Sequence, residues 1–324
     1  MTDLPPGPSS QAGAGPAVRT RAARAGLMVW YGGLRRRRRL AMIGGAMLAV
    51  PALWLLALLV VPMLSLGAMS FARRSPYGEV IWQFTTDNFL RMLGSTSGGW
   101  SADYLLILGR SVWIALVTTV ICVAVAYPMA VFIASRRPRM RYIWLTLVII
   151  PLCTNLVIRT YAWTLLLGSQ MPPAQLAHWL GWLEPGRGLY PSPLAVYIGM
   201  VTSCLPFAVL PIYSNVEHMD WSIVEAVRDL YGGRRLVFVH GILPQTLPGL
   251  TAAIILTFIP AMGAFVVPDL LGGAKTWLVG NLIQQQFGPS RDWPFGSAVS
   301  LGLIVLSLAG LVLMRRKDSR TVLP

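Results

Sequence analysis

The sequence predicts an all-α fold: a polytopic membrane protein with six transmembrane helices. Hydrophobic residues make up 55% of the 324 residues and charged residues only 12%, and the mean hydropathy is +0.61. The apolar residues are concentrated in six runs, each as long as the roughly 20 residues that cross the hydrocarbon core of a bilayer as a helix. The segments that connect these runs are alternately rich and poor in basic residues, as in multi-pass membrane proteins. This composition argues against a soluble globular protein.

The first 39 residues are rich in Pro, Gly, Ala and Arg and have no hydrophobic periodicity. Such a segment cannot bury a core, so residues 1–39 are predicted to be a disordered basic tail. It ends in five consecutive arginines at 35–39. These arginines fit an anchor that holds the tail in the cytoplasm, and binding to nucleic acid or anionic lipid is the less favoured alternative.

Six apolar spans follow the tail and define a predicted membrane domain over residues 40–314. Prolines interrupt several spans, which is tolerated where the freed backbone groups are satisfied by neighbours or line a water-filled path. The predicted spans are residues 40–66, 111–133, 142–167, 193–214, 248–271 and 294–314.

The distribution of basic residues predicts the orientation. The two tails and the even-numbered loops between spans carry 19 Lys and Arg residues, whereas the odd-numbered loops carry 7. By the positive-inside rule, both termini face the cytoplasm, including the tail at 315–324. The loop at 215–247 then also faces the cytoplasm.

The net charge of +15 does not predict a nucleic-acid partner, because the basic residues lie beside apolar spans without an interleaved polar surface. The three cysteines lie inside spans without a second thiol or histidine at metal-ligand spacing. The sequence has no phosphate-binding loop, no zinc motif and no G-x-S-x-G elbow. We therefore expect neither an enzyme nor a bound cofactor.

The polar segment at 225–249 predicts a surface loop with two short helices. Ser222 and Glu225 form a predicted capping box at the start of the first helix, and Gly232 and Gly233 end it. A second helix is predicted over residues 236–243, closed by two prolines. One narrow apolar face is expected on the first helix, formed by Ile223, Val224, Val227 and Leu230.

This loop resembles the cytoplasmic loop of permease subunits of ABC importers. That loop has the pattern Glu-Ala-Ala, three residues, Gly, nine residues, Ile, one residue, Leu-Pro. Here residues 225–227 open the pattern and Leu243 and Pro244 close it, while a Gly and an Ile lie one residue late. The departures are Val227 for Ala, Tyr231 for Gly and Gly241 for Ile. The alternative is an amphipathic cytoplasmic loop with ordinary caps and no partner.

A wider resemblance covers residues 87–300 and points to the spermidine/putrescine branch of these permeases. The similar segments are DNFLRML at 87–93, YPMAVFIA at 127–134, RTYAWTLLLG at 159–168, LPFAVLPIY at 205–213, IPAMGAFVVPDLLGGAKTWLVGNLIQQQF at 259–287 and RDWPFGSAVS at 291–300.

The resemblance implies a type I ABC importer permease fold in a bacterial inner membrane. It implies one of two non-identical permease subunits, joined to a cytoplasmic ATPase dimer and fed by an extracytoplasmic polyamine-binding protein. ATP hydrolysis is expected on the separate subunit. The residues that the resemblance assigns to docking of the ATPase are Glu225, Ala226, Asp229, Gly232, Leu243 and Pro244.

Two alternatives stay open. The first is a permease for another small solute, such as an opine, a phosphonate or iron. The second is a secondary transporter, which is expected to show internal repeats and buried carboxylates. No repeat is visible, and Asp269 is the one carboxylate inside a predicted span.

Two charged residues inside predicted spans suggest a gate. Counted along straight helices at about 1.5 Å per residue, Arg159 lies about 26 Å and Asp269 about 31 Å from the cytoplasmic ends of their spans. We expect them to pair, directly or through water, and to close the outer gate, with an incoming polyamine competing for Asp269. Tyr161 and Trp163 are predicted to add cation–π contacts. Alternatively, Arg159 extends to the outer headgroups.

Overall fold

The computed structural model describes residues 48–49, 51–96, 99–184, 186–273 and 276–321, without the side chains of Thr96, Tyr231 and 313–321. The predicted disordered tail at 1–39 and the start of the first span lie outside the described residues. The chain forms two compact units, Met1–Ser65 and Leu66–Pro324. The described part of the first unit is helical.

The described residues are mainly helical, as predicted. The helices in chain order are α1 (Pro51–Ser70), α2 (Asp87–Met92), α3 (Asp103–Ala134), α4 (Pro138–Cys153), α5 (Leu156–Leu166), α6 (Pro172–Trp179), α7 (Pro193–Glu217), α8 (Trp221–Tyr231), α9 (Arg234–Val237), α10 (Leu243–Met262), α11 (Val266–Leu271), α12 (Val279–Phe287) and α13 (Trp293–Thr321). A π-helix, Phe238–Ile242, joins α9 to α10.

The prediction of six spans is confirmed when α4 and α5 are taken as one broken span. Five helices are long and apolar enough to cross a membrane, and the α4–α5 pair passes the same criteria together. The pair is bent by 95°. The predicted continuous helix over residues 142–167 is therefore wrong.

The break between α4 and α5 has a local cause. Thr154 and Asn155 adopt extended backbone conformations, and the Asn155 side chain accepts a hydrogen bond from the Val157 amide at 2.8 Å. Asn155 thus caps a new helix. Pro151, four residues upstream, lacks an amide proton and weakens the end of α4.

The predicted fifth span, residues 248–271, is wrong at both ends. The helix runs continuously over Arg234–Met262, so the prolines at 244 and 248 do not close a separate short helix at 236–243. The π-helix carries the chain past Pro244 by inserting an extra residue into the turn. At the other end the chain leaves the helix at Gly263, and α11 is a separate short helix.

The core of the second unit lies where α3, α7 and α10 pack together. Fully buried alanines line these contacts, including Ala126, Ala208 and Ala253. Gly249 marks the closest approach, because a Cβ atom there would lie 2.6 Å from Asn215 Cβ and 3.0 Å from the Pro211 carbonyl oxygen. Small residues at such contacts let membrane helices approach closely.

Two small hairpins, which the all-α prediction did not include, lie between α1 and α3. Strands β1 (Arg73–Arg74) and β2 (Val80–Ile81) pair antiparallel, as do β3 (Ser95–Thr96) and β4 (Gly99–Trp100). The buried Asp292 carboxylate, just before α13, binds Arg91 at 3.1 Å and Arg74 at 3.8 Å. This cluster holds the segment before α3 against the start of the last span.

Candidate coupling loop and pathway residues

The helix α8 carries most of the residues predicted to dock a partner. It begins at Trp221, because the Asp220 carboxylate accepts a hydrogen bond from the Ser222 amide at 2.9 Å. The predicted capping box of Ser222 and Glu225 is therefore wrong. Hydrogen bonds from the Ser222 hydroxyl and amide hold the pKa of Asp220 below its usual range. The cap is thus present near neutral pH and is lost only as the pH falls through that lowered pKa.

The predicted end of this helix is confirmed. Gly232 adopts a left-handed conformation with φ of 63°, and its amide donates to the Arg228 carbonyl at 2.8 Å. No heavy atom of the described residues lies within 4 Å of a Cβ atom built at Gly232. The turn is therefore sterically open on its outside, where a partner has room to approach.

The apolar residues of α8 divide between two faces, whereas the sequence predicted one. Val224 is only 8% exposed, and its Cα lies 3.5 Å from a Cβ atom built at Gly241 in the π-helix. Ile223 and Leu230 point away and are 46% and 79% exposed. Exposed apolar side chains on a loop outside the membrane spans are typical of a binding surface.

The exposed face of α8 combines apolar and acidic groups. Ile223, Ala226 and Leu230 follow one another at helical spacing, and Glu225 and Asp229 flank them. All five are exposed. Leu243 is half-buried and Pro244 is exposed at the start of α10.

Gln245 holds this loop in place, and sequence reasoning missed it. Its side-chain oxygen accepts from the Asp220 amide at 3.0 Å, and its amide nitrogen donates to the Gly241 carbonyl at 2.8 Å. It thereby ties the start of α8 to the π-helix. The sequence signal was a polar residue directly after Leu243 and Pro244, within an apolar run.

A second connection links the loop to the other half of the core. Arg141 on α4 forms an ion pair with Glu217, the last residue of α7, and donates to the Ala134 carbonyl at 2.9 Å. Glu217 lies three residues before the Asp220 cap. These contacts join the segment just before α8 to the ends of α3, α4 and α7.

Arg159 lies in a large apolar cavity of about 990 Å³ between α3, α4, α5 and α7. Its guanidinium donates to the Pro151 carbonyl at 2.6 Å, so it caps the C-terminal end of α4 at the break. Its Nε atom is buried without a hydrogen-bond partner among the described residues. Trp163 lines the same cavity, whereas Tyr161 does not and is exposed.

Asp269 lies elsewhere. It is exposed on α11 and lines a small cavity of about 60 Å³ with residues of α12. The ion pairs within 4 Å in the described part of the chain do not include Arg159 with Asp269. The predicted direct pair is therefore not formed, and the depths counted along straight helices were wrong because both predicted spans break before these residues.

Comparisons with known proteins place this architecture. The family described as "Binding-protein-dependent transport system inner membrane component" matches residues 123–322. The spermidine/putrescine transport system permease protein PotB of Escherichia coli (strain K12) is 38% identical over 263 residues, covering 81% of this chain and 93% of PotB. PotB of Haemophilus influenzae is 37% identical, covering 78% of this chain and 86% of the relative.

Solved structures share the fold at low sequence identity. A chain of a bacterial alginate ABC transporter, in complex with an alginate pentasaccharide-bound periplasmic protein, superposes with a TM-score of 0.67 at 14% identity. The match covers 90% of this chain and 98% of that chain. This multi-pass inner-membrane protein therefore belongs to the family of binding-protein-dependent transport system inner membrane components.

Proposed function

We propose that this chain is the permease subunit of an ATP-driven importer of spermidine and putrescine, and that it forms half of the transmembrane pathway. The observation that carries the proposal is the 38% identity to PotB along 93% of the PotB chain. The sequence identity to PotB extends over both the membrane spans and the loop at 215–247, so it supports a shared role of the whole subunit.

The proposed partners are a cytoplasmic ATPase dimer, a second permease subunit, an extracytoplasmic binding protein and the lipids of the membrane. The exposed face of α8, with Glu225 and Asp229 beside Ile223, Ala226 and Leu230, supports docking of an ATPase. An exposed apolar patch with charged residues at its edge is more typical of a protein interface than of a surface that stays in contact with solvent. Gly232, Leu243 and Pro244 complete the proposed docking site.

The contacts around the loop suggest how ATP drives the pathway. Closure of the ATPases on ATP would move the docked α8. Gln245 would pass this movement to α10, and Glu217 with Arg141 would pass it to α7 and α4. The core helices would then change from an inward-facing to an outward-facing arrangement, and hydrolysis would reset them.

Uptake of labelled spermidine and putrescine tests the proposal. Cells that lack their own polyamine uptake are expected to accumulate both solutes when they express this chain with its partner subunits. The control is the same set of subunits without this chain. Accumulation no greater than in the control, or uptake that excess unlabelled polyamine does not reduce, contradicts the proposed substrate.

The proposed orientation predicts the activity of alkaline phosphatase fusions, because that enzyme is active only outside the cytoplasm. Fusions after Gly94 or Gly188 are expected to be active, whereas a fusion after Gly233 is expected to be inactive. The basis is the excess of basic residues in the tails and even-numbered loops. Activity after Gly233, with none after Gly94, reverses the orientation.

A further inference from the structure

The cavity of about 990 Å³ between α3, α4, α5 and α7 is suited to an apolar occupant. Of the described residues that line it, all except Arg159 and Thr202 are apolar or aromatic. The Thr202 hydroxyl donates to the Ile198 carbonyl of its own helix at 2.8 Å. A buried water molecule needs two to four polar partners, and folded proteins leave few voids larger than a water molecule. We therefore expect an apolar group to fill this cavity.

The proposed solute does not fit here. A polyamine carries an ammonium group at each end, and each ammonium needs acceptors or a counter-ion when it leaves water. The described residues that line the cavity include no carboxylate, and Arg159 adds a positive charge. A polyamine is therefore repelled, and a hydrocarbon chain is the better match.

The volume of the cavity fits the hydrocarbon part of a membrane lipid. At about 30 Å³ for a group of the size of a water molecule, the cavity holds about 33 such groups. A methylene group is of similar size, so this is the scale of the two acyl chains of one phospholipid. The lining residues Val125, Phe132 and Leu147 are 41%, 40% and 56% exposed. The cavity therefore opens at the surface of the second unit, where chains can enter from the bilayer.

One end of the cavity lies beside a cluster of arginines. Phe132, near the end of α3, and Trp144 on α4 both line the cavity, and their rings meet edge to face with centroids 5.5 Å apart. The Arg136 guanidinium lies over the Phe132 ring, 4.1 Å from its centroid. Arg136, Arg137 and Arg139 are exposed, and none of them forms an ion pair with a residue that the structure describes. The apolar cavity and the basic cluster are thus continuous.

We propose that this cavity binds one anionic phospholipid, with its phosphate on Arg136, Arg137 and Arg139 and its acyl chains between α3 and α4. Guanidinium groups pair with phosphate through two parallel hydrogen bonds. Basic residues directly beside a membrane span attract anionic lipids, whereas a zwitterionic headgroup brings its own cation. The inference goes beyond the proposed function. It depends on the proposed orientation only for the leaflet, which is then the cytoplasmic one.

Binding of phosphatidylglycerol to the purified full chain tests the headgroup site, and native mass spectrometry counts the bound lipid. Wild type is expected to bind phosphatidylglycerol at least 10-fold more tightly than phosphatidylcholine. Arg136→Gln combined with Arg139→Gln is expected to lower that affinity at least 10-fold, because each basic residue near an anionic headgroup contributes about fivefold. The matched control is Arg234→Gln combined with Arg235→Gln, which removes the same charge from two exposed arginines of the loop at 215–247.

A substitution inside the cavity tests the binding of the acyl chains. Ala124→Trp fills part of the cavity without changing the charge, and it is expected to lower phosphatidylglycerol binding at least 10-fold. Ala162→Trp is the matched control, because Ala162 is exposed on α5 and is not among the described lining residues. Size-exclusion chromatography checks that each variant is folded. In the assembled importer, a photo-crosslinking amino acid at the exposed Leu147 is expected to capture phospholipid.

Three results would each overturn the inference. Equal affinity for phosphatidylglycerol and phosphatidylcholine rejects the headgroup site. Normal phosphatidylglycerol binding by folded Ala124→Trp places the lipid on the outer surface and not in the cavity. Capture of the second permease subunit at Leu147, in place of phospholipid, shows that a protein covers the cavity, and this result decides the question if Ala124→Trp does not fold. All three readouts are independent of polyamine uptake, so failure of the proposed function is distinguished from failure of the lipid site.

Discussion

Gly232→Trp and Glu225→Ala are each expected to lower ATP-driven uptake at least 10-fold while the permease inserts normally. Central residues of a protein interface contribute about 2 kcal/mol or more, which corresponds to roughly 30-fold in binding. Glu225→Ala leaves α8 intact, because the helix takes its cap from Asp220 and alanine is the best helix former. A loss of uptake therefore reports on docking and not on the helix itself.

Co-purification with the ATPase and the ratio of hydrolysis to transport measure this effect. Gly181→Trp is the matched control, because Gly181 also has a positive φ, 71°, with no heavy atom of the described residues within 4 Å of its Cβ position. The same backbone strain is then introduced in the gap between α6 and α7. If both loop variants transport normally with the ATPase bound, the loop at 215–247 is only a connector.

Gly249→Leu is expected to reduce the amount of folded permease at least several-fold and to abolish uptake. The added side chain meets the Pro211 carbonyl and Asn215 on α7, and a backbone carbonyl cannot move aside as a flexible side chain does. Overpacking in a core costs about 1–3 kcal/mol, and more where backbone must shift. Contacts of α10 with α7 and α3 form the centre of the second unit, so their loss spreads through it.

Fluorescence-detected size-exclusion chromatography of the tagged permease measures the folded fraction. Gly109→Leu is the matched control, because it makes the same change inside an apolar helix, α3, where no heavy atom of the described residues lies within 4 Å of the Cβ position. Both variants gain the same helix propensity. A normal monodisperse peak for Gly249→Leu contradicts the close packing of α7 on α10.

The spans were predictable because their signal is local. A run of 20 apolar residues has few alternatives to a membrane helix, and Gly232 at the end of α8 follows from the same kind of local rule. The faces of α8 were not predictable, since only the contact with Gly241 decides that Val224 turns inward and Leu230 outward. That contact joins segments whose distance in space depends on the π-helix.

The direct pair of Arg159 with Asp269 was mispredicted for a related reason. Depth along a span was counted as if each span were straight, and both spans break, at Asn155 and at Gly263. Asn155 in an apolar run was a usable signal for the first break. Gln245 was visible as a polar residue in an apolar run, but its partner Asp220 was not predictable, because the two lie 25 positions apart in the sequence.

The 95° bend between α4 and α5 has a consequence for the order in which the helices pack during synthesis. At about 1.5 Å per residue, α4 is about 24 Å long and α5 about 17 Å, so neither half alone matches a hydrocarbon core about 30 Å thick. In the folded chain α5 packs on α7 and α11, and the ribosome makes both of these later. Local residues break the third span as soon as it is made, but α5 reaches its final packing only after the C-terminal half of the chain has been synthesised.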